Sequence, residues 1–160
     1  MILVAGIGNV FQTDDGFGPA VVARLCQAAE PLPEGVRVVD YGIRGMHLAY
    51  DLLGDWDALV LVDALPDRGE PGRVDVLEIG VGDVTPGGQV DAHGMDPATV
   101  LATLAALGGT LPPRTRLVGC QVADVDDGMG LTPVVEAAVD GAVRVVRELL
   151  ADTPARTEVG

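Results

Sequence analysis

Short apolar segments alternate along this chain with longer segments whose apolar residues recur at helical spacing. The predicted strands cover residues 2–6, 36–41, 58–62, 74–79 and 115–122. The predicted helices cover residues 16–29, 46–53, 96–107 and a final segment that begins at Thr132. Such alternation favours a mainly parallel sheet that is covered by helices on both faces. The predicted fold class is therefore α/β, with the mixed apolar and acidic segment 74–79 as a half-exposed edge strand.

The spacing of apolar residues also predicts helix faces. In the second predicted helix, Met46, Tyr50 and Leu53 share one face. The last helix carries a longer apolar stripe, which we expect to cover one face of the sheet. That stripe comprises Val135, Ala138, Val139, Ala142, Val146 and Leu149.

The length of the chain bounds its organisation. A chain of 160 residues, 48% of them hydrophobic, is enough for one domain with its own core. The predicted domain covers residues 1–151, and residues 152–160 are predicted to form a loose tail. No apolar stretch approaches the roughly 20 residues of a membrane span. We expect neither a signal peptide nor an anchor, and Cys26 and Cys120, which lack CxxC spacing, suit a reducing cytoplasm.

Charge and missing residue types exclude several classes of function. The net charge is −14, and the ten basic residues are all arginine. The electrostatic field of this negative charge repels nucleic acid and anionic membranes, and repulsion between like copies favours a monomer. The chain contains neither Ser nor Lys, which excludes serine nucleophiles, Schiff-base chemistry and the P-loop lysine. We expect no organic cofactor.

Acidic residues lie at or just beyond the ends of the first three predicted strands. They are Asp14 and Asp15 after the first, Asp40 at the second and Asp63 at the third. Because the carboxyl ends of parallel strands share one edge of a sheet, these carboxylates are predicted to converge. His93, in a loop before the third helix, adds an imidazole. Two carboxylates and one imidazole suit a divalent transition metal with open coordination positions.

The segments around these residues match a known pattern. The chain has Gly6-Ile7-Gly8-Asn9, then Thr13-Asp14-Asp15-Gly16-Phe17-Gly18, then Asp40-Tyr41-Gly42-Ile43-Arg44-Gly45, then Val62-Asp63-Ala64, His93, and Gly130-Leu131-Thr132-Pro133 through Glu136. Over about residues 1–150 this pattern resembles the hydrogenase maturation endopeptidases, which process the large subunit of nickel-iron hydrogenases.

The resemblance implies a fold, an activity and a metal site. The fold is a three-layer α/β/α sandwich on a five-stranded mixed sheet whose fourth strand is antiparallel. The activity is one cut that removes a C-terminal extension of the large-subunit precursor after nickel insertion. Nickel held in the substrate is the recognition element, and Asp15, Asp63 and His93 are its ligands in the protease. Family members often have Glu in place of Asp15, and many have Thr in place of Ile43.

Further roles are expected around the metal trio. A metal either polarises the scissile carbonyl or lowers the pKa of a bound water, and Asp40 either acts as a base or holds the site in shape. Gly42 and Gly45 flank a substrate-binding loop, from which Arg44 reaches an acidic group or a carbonyl of the substrate.

Three alternatives compete with this hypothesis. A dinucleotide-binding module is suggested by Gly6-Ile7-Gly8 and by Asp40, but Phe11 replaces the third glycine of that fingerprint. A calcium loop over residues 124–130 has the wrong register for an EF-hand, so we predict a solvated acidic loop over the crevice. A related metal-assisted peptidase with another protein substrate differs only in its partner.

Overall fold

The computed structural model describes residues 1–79 and 97–153. The strands there are β1 (Ile2–Ile7), β2 (Val36–Gly42), β3 (Ala58–Leu65), β4 (Val74–Glu78) and β5 (Arg114–Gln121). The α-helices are α1 (Phe17–Gln27), α2 (Gly45–Asp51), α3 (Pro97–Ala106) and α4 (Pro133–Asp152), and a short 3-10 helix covers Thr13–Gly16. The predicted order of strands and helices is confirmed.

The strands form one sheet within the described ranges, in the order β2-β1-β3-β5-β4. β1 pairs in parallel with β2 and β3, and β3 pairs in parallel with β5, whereas β4 runs antiparallel to β5 at the edge. The mixed sheet with an antiparallel fourth strand and the edge position of β4 are both confirmed. The carboxyl ends of β1, β2, β3 and β5 therefore share one edge, where α/β proteins build their sites.

Alternate residues of the strands supply two separate hydrophobic cores, one on each face of the sheet. The first core packs α1 and α4 against residues such as Val4, Val60 and Val118. The second packs α2 and α3 against residues such as Leu59 and Leu61. These two helix layers and the sheet make the three-layer α/β/α sandwich.

The predicted end of β3 needs correction, and the predicted apolar face of α2 is the exposed one. β3 continues to Leu65 because its backbone pairs with β5 over its whole length, so Asp63 lies inside the strand. In α2, the face that carries Met46, Tyr50 and Leu53 is exposed. The opposite face is buried, through Leu48, Ala49 and Leu52.

The C-terminal boundary also differs from the prediction. α4 includes Asp152, and Thr153 is buried, with its hydroxyl donating to the Leu149 carbonyl at 2.9 Å. The expected loose tail 152–160 is therefore wrong for its first two residues, and residues 154–160 lie outside the described residues. Leu150, rather than Leu149, is fully buried in the apolar stripe. Within the described ranges, none of the helices combines the length and apolar character that crossing a membrane requires.

Candidate active site

The 3-10 helix after β1 places Asp15 at the carboxyl edge of the sheet. The backbone N–H of Asn9 donates to the Asp15 carboxylate at 3.0 Å. Gly8 has φ = 149°, and a Cβ at this position would lie 1.9 Å from the Asp15 carbonyl oxygen. Only glycine permits so close an approach of the chain to itself. The glycines of the opening motif thus seat the 3-10 helix, rather than making room for a pyrophosphate.

A second glycine contact brings this turn over β3. A Cβ at Gly18 would lie 2.3 Å from the carbonyl oxygens of both Ile7 and Val62. The start of α1 therefore rests directly on the ends of β1 and β3, and the 3-10 helix that precedes it packs against β3. Asp15 and Asp63 consequently belong to elements that touch at this edge.

Asp63 is a buried carboxylate near the carboxyl end of β3. Its residue is 6% exposed, and Oδ1 accepts a hydrogen bond from the backbone N–H of Ala64 at 2.8 Å. The alternation of side chains along a strand puts Asp63 on the same face as Leu59 and Leu61, above the second core. A buried carboxylate needs compensating polar or ionic partners, and such a group at the end of a central strand indicates a functional site.

Asp14, the neighbour of Asp15, has a different environment. It is completely buried, and its carboxylate accepts hydrogen bonds from the backbone N–H groups of Ala123 (2.8 Å), Asp124 (3.0 Å) and Thr132 (2.7 Å). The Thr132 hydroxyl lies 3.0 and 2.9 Å from its two carboxylate oxygens. Burial opposes ionisation of Asp14, but these hydrogen bonds outweigh it and lower the pKa below the ordinary value of 3.8.

The prediction that Asp14 joins the converging carboxylates is thereby corrected. Its side chain fastens the 3-10 helix to the segment between β5 and α4, and it leaves Asp15 as the carboxylate beside β3. Thr132, the residue before α4, takes part in this fastening. Sequence reasoning assigned Thr132 only to the helix start, and nothing local to it indicated a partner 118 positions away.

Residues 9–13 and 123–130, here called the paired loops, run side by side next to Asp15. The Thr13 N–H donates to the Gly128 carbonyl, and the Gly128 N–H donates to the Phe11 carbonyl, both at 2.9 Å. The Thr13 hydroxyl donates to the Asp126 carbonyl at 2.6 Å. Thr13 has φ = 50°, which is costly for a β-branched residue, so these bonds hold a strained turn in place. The second loop thus borders the site, as expected for the acidic loop.

Asp40 lies at the rim of the site. It pairs with Gly6 of β1, which pairs on its other side with Val62 of β3. Asp40 and Asp63 are therefore on strands that are two sheet spacings, about 10 Å, apart. Asp40 is exposed, and its Oδ1 accepts the backbone N–H of Gly42 at 2.8 Å, which stabilises the turn that leaves β2.

The glycine loop connects this turn to α2. Gly45 begins α2, and Arg44 precedes it as an exposed residue. The Arg44 guanidinium donates to the backbone carbonyls of Tyr41 at 3.4 Å and Asp40 at 3.2 Å. Both contacts are with the loop's own backbone, so the charge of Arg44 has no carboxylate partner in the described part of the chain.

A cavity of about 200 Å³ opens beside the glycine loop. Inside it the Tyr41 hydroxyl donates to the Asp51 carboxylate at 2.6 Å. Burial, followed by this hydrogen bond and the charge of Asp51, raises the pKa of Tyr41. The cavity is lined by Val39, Tyr41, Arg44, His47, Tyr50 and Asp51.

The third predicted metal ligand, His93, lies outside the described residues. Over residues 1–79 and 97–153 there is no group of three or more His, Cys, Asp or Glu side chains that could hold a metal ion. Asp15 and Asp63, the two carboxylates of the predicted set, lie on elements that touch at the carboxyl edge of the sheet. The O,O,N set with His93, of the kind that nickel and zinc accept, therefore stays a prediction.

Curated proteins with similar sequences include two that act in hydrogenase formation or maturation, as their names state. The hydrogenase expression/formation protein HupD of Rhizobium leguminosarum bv. viciae is 34% identical, over 98% of this chain and 79% of its own length. The hydrogenase 2 maturation protease of Escherichia coli strain K12 is 31% identical, over 95% of this chain and 92% of its own.

Solved structures and a family model agree with these relatives. The hydrogenase maturating endopeptidase HybD from E. coli superimposes with a TM-score of 0.80 at 32% identity, covering 94% of this chain and 92% of that one. The model of the family described as hydrogenase maturation protease matches residues 19–149. That match spans most of the domain, from the first turn of α1 to near the end of α4. The resemblance first noted in the motifs is confirmed, and the chain belongs to the hydrogenase maturation proteases, a family of peptidases.

Proposed function

We propose that this protein removes the C-terminal extension of a nickel-iron hydrogenase large-subunit precursor by a single endoproteolytic cut after nickel has been inserted. Membership of the hydrogenase maturation proteases supports the reaction class. The observation that carries the proposal is the buried Asp63 at the carboxyl edge of β3, against which the turn bearing Asp15 packs. Asp14 is the other buried carboxylate at this edge in the described chain, but its oxygens are already engaged by backbone N–H groups and by Thr132.

Nickel in this proposal is part of the substrate. Asp15, Asp63 and His93 contact the nickel that the precursor already holds, and three protein ligands leave coordination positions for the precursor's own ligands. The buried position of Asp63 strengthens its attraction to a cation, because the local dielectric is low. Binding therefore distinguishes a loaded precursor from an empty one, and an empty precursor keeps its extension.

The other residues shape the site and hold the substrate. Asp40 is assigned the supporting role of the two considered for it, since its carboxylate accepts the Gly42 N–H and lies about 10 Å from Asp63 by strand spacing. The glycine loop of Gly42 and Gly45 is proposed to bind the polypeptide, with Arg44 donating to a carbonyl or carboxylate of the substrate. Water then attacks the scissile carbonyl, the peptide C–N bond breaks, and the leaving amine takes up a proton.

The proposal includes the setting of the reaction. The protein acts as a monomer in the reducing cytoplasm and needs no organic cofactor. Two free thiols, Cys26 and Cys120, are consistent with a reducing compartment. The net charge of −14 opposes association of like copies.

The test compares nickel-loaded and nickel-free precursor as substrates for the purified protein. Asp15→Asn, Asp63→Asn and His93→Gln are tested beside the wild type. Asp55→Asn is the matched control, because Asp55 is an exposed carboxylate in the loop before β3, at the opposite edge of the sheet. We expect the wild type and the control to cut only the loaded precursor, and each trio variant to lose at least about 100-fold in kcat/KM.

Two outcomes would overturn the proposal. Equal cutting of both precursors would show that nickel is not recognised. Full activity in all three trio variants, with their folds verified by circular dichroism, would show that these residues do not form the site. If the protein instead cleaves a different protein, and this cleavage also depends on Asp15, Asp63 and His93, the chain is a related peptidase with another substrate.

A further inference from the structure

The paired loops carry large apolar side chains that the fold leaves exposed. Phe11 is 63% exposed and Met129 is 77% exposed, the highest value among the exposed large apolar residues of the described chain. Val10 and Val125, on the same two loops, are also exposed. We call these four residues the apolar ridge. Apolar side chains concentrated on adjacent loops beside a candidate site mark an interaction surface.

The backbone beneath the ridge is fixed. The Phe11 carbonyl accepts the Gly128 N–H at 2.9 Å, so Phe11 and Met129 project from directly bonded stretches of chain. Asp14 ties both loops together from below through Ala123, Asp124 and Thr132. A rigid surface loses little conformational entropy when a partner binds, so exposed Phe and Met side chains held in this way are suited to binding.

The charge around the ridge restricts the partner. Asp124, Asp126 and Asp127 are exposed on the second loop, and in the described part of the chain none of them forms an ion pair with a basic side chain. This acidic surface repels anionic lipid, nucleic acid and a second copy of the same acidic chain. It attracts a polypeptide that carries positive charge.

The ridge is continuous with the candidate active site. Thr13 and Asp14, whose N–H groups donate to the second loop at Gly128 and Asp124, immediately precede Asp15. A polypeptide that reaches Asp15 and Asp63 therefore passes along this edge. We propose that the apolar ridge and its acidic border form the docking surface for the large-subunit precursor, and that they bind a segment of it with apolar side chains and net positive charge. This inference rests on the proposed function and adds the surface that selects the polypeptide, as distinct from its metal.

The first experiment measures cleavage of purified nickel-loaded precursor by Phe11→Ser and Met129→Ser variants. Leu77→Ser is the matched control, because Leu77 is a 47% exposed apolar residue on the edge strand β4. Removal of an anchoring side chain from a docking surface weakens the binding of the precursor equally in the ground state and in the transition state. We expect KM to rise about ten-fold in each ridge variant, with kcat at saturation unchanged, and we expect the control to match the wild type.

The second experiment tests the acidic border by salt dependence. Asp126→Asn combined with Asp127→Asn is compared with Glu34→Gln combined with Asp55→Asn, a pair of exposed carboxylates at the opposite edge. Wild type and control are expected to lose affinity for the precursor as salt rises. The border variant is expected to bind more weakly at low salt and to respond less to added salt, because screening then has less attraction to remove.

The outcomes separate the docking surface from the proposed function. If the wild type cuts the precursor and the ridge variants have the KM of Leu77→Ser, the docking surface is overturned while the function stands. If the wild type leaves the precursor uncut, the function fails, and direct binding of the precursor to wild type and ridge variants decides the docking surface. If light scattering shows a dimer that the ridge variants dissociate, the ridge is a self-association surface and the inference is wrong.

Discussion

The two ends of the sheet are held together in different ways. At the edge opposite the site, the connections are fastened by ion pairs with at least one solvent-exposed partner, such as Arg147 with Glu30 at 3.8 Å and the chain amino group with Asp57 at 2.6 Å. At the site edge, a fully buried carboxylate, Asp14, accepts hydrogen bonds from three backbone N–H groups and one hydroxyl. The first kind of contact is screened by water, and the second is protected from it.

This difference shows where precision is needed. An exposed ion pair contributes little free energy and tolerates movement of its partners. A buried carboxylate with every oxygen engaged fixes its partners, because any displacement leaves a polar group unsatisfied in a medium of low dielectric. The turn that bears Asp15 is thus fastened rigidly through Asp14, whereas the ion pairs at the other edge fasten their connections loosely.

The largest effect is expected from removal of the buried carboxylate. Asp14→Ala leaves the N–H groups of Ala123, Asp124 and Thr132 without their acceptor. We expect the free energy of unfolding to fall by about 4 kcal/mol. Glu30→Gln, at the other edge, is expected to change it by less than about 0.5 kcal/mol. Urea unfolding of the three proteins measures both values.

A milder substitution at the same position provides a test if Asp14→Ala does not fold. Asp14→Asn keeps the shape of the side chain but turns an amide donor toward backbone donors. We expect a loss of about 2 kcal/mol, with reduced cleavage of the precursor. Stability equal to the wild type in both Asp14 variants would show that the two ends are fastened equally, contrary to the comparison.

The next effect comes from two glycines that both have positive φ. Gly8, at the site edge, has no room for a Cβ because the Asp15 carbonyl oxygen would lie 1.9 Å away, whereas Gly35, at the opposite edge, has nothing within 4 Å. Gly35→Ala is expected to cost about 1 kcal/mol from its backbone conformation alone. Gly8→Ala is expected to cost about 3 kcal/mol, since the 3-10 helix must also move.

Thermal and urea unfolding of the two glycine variants, together with cleavage of the precursor, make this test specific. Gly35→Ala should cut at the wild-type rate, and Gly8→Ala should not. Equal losses of stability would mean that the conformation of Gly8 matters and its close approach to Asp15 does not.

The smallest perturbation is chemical labelling of the two thiols, which leaves the sequence unchanged. Cys120 is buried beside Asp14, and burial, together with the charge of Asp14, raises its pKa to about 11. At pH 8 only about 0.1% of such a thiol is the reactive thiolate. Cys26 is exposed on α1. We expect iodoacetamide to modify Cys26 alone in the native protein and both thiols in urea, as measured by mass spectrometry. Rapid modification of Cys120 in the native state would show that the site edge opens readily.

The sheet was predictable because its order follows from local patterns and general rules of chain connection. Apolar runs separated by helical segments imply parallel strands with right-handed crossovers. The end of β3 was not predictable in this way. The charge of Asp63 interrupts the apolar run, but pairing of the backbone with β5 continues to Leu65, and a ladder of hydrogen bonds does not depend on side-chain polarity.

The different environments of Asp14 and Asp15 also could not be predicted from the sequence. The two residues are adjacent and chemically identical, and the one that becomes buried is chosen by backbone donors more than 100 residues away. In α2, a helix of seven residues, Met46 and Tyr50 have helical spacing, and so do Leu48 and Leu52, the residue that follows the helix. Packing of α2 against α3 decides between the faces, and this contact is tertiary.

The hydrogen bonds between Asp14 and Thr132 span 118 positions of the chain. They therefore affect the stage of synthesis at which the opening motif can fold, as well as its position in the folded protein. On the ribosome, Asp15 is synthesised early, but the residues that fix its turn emerge only when the last quarter of the domain is made. A nascent chain can assemble β1, β2 and β3 while its opening motif still has no anchor. The turn that bears Asp15 therefore reaches its final position only late in synthesis.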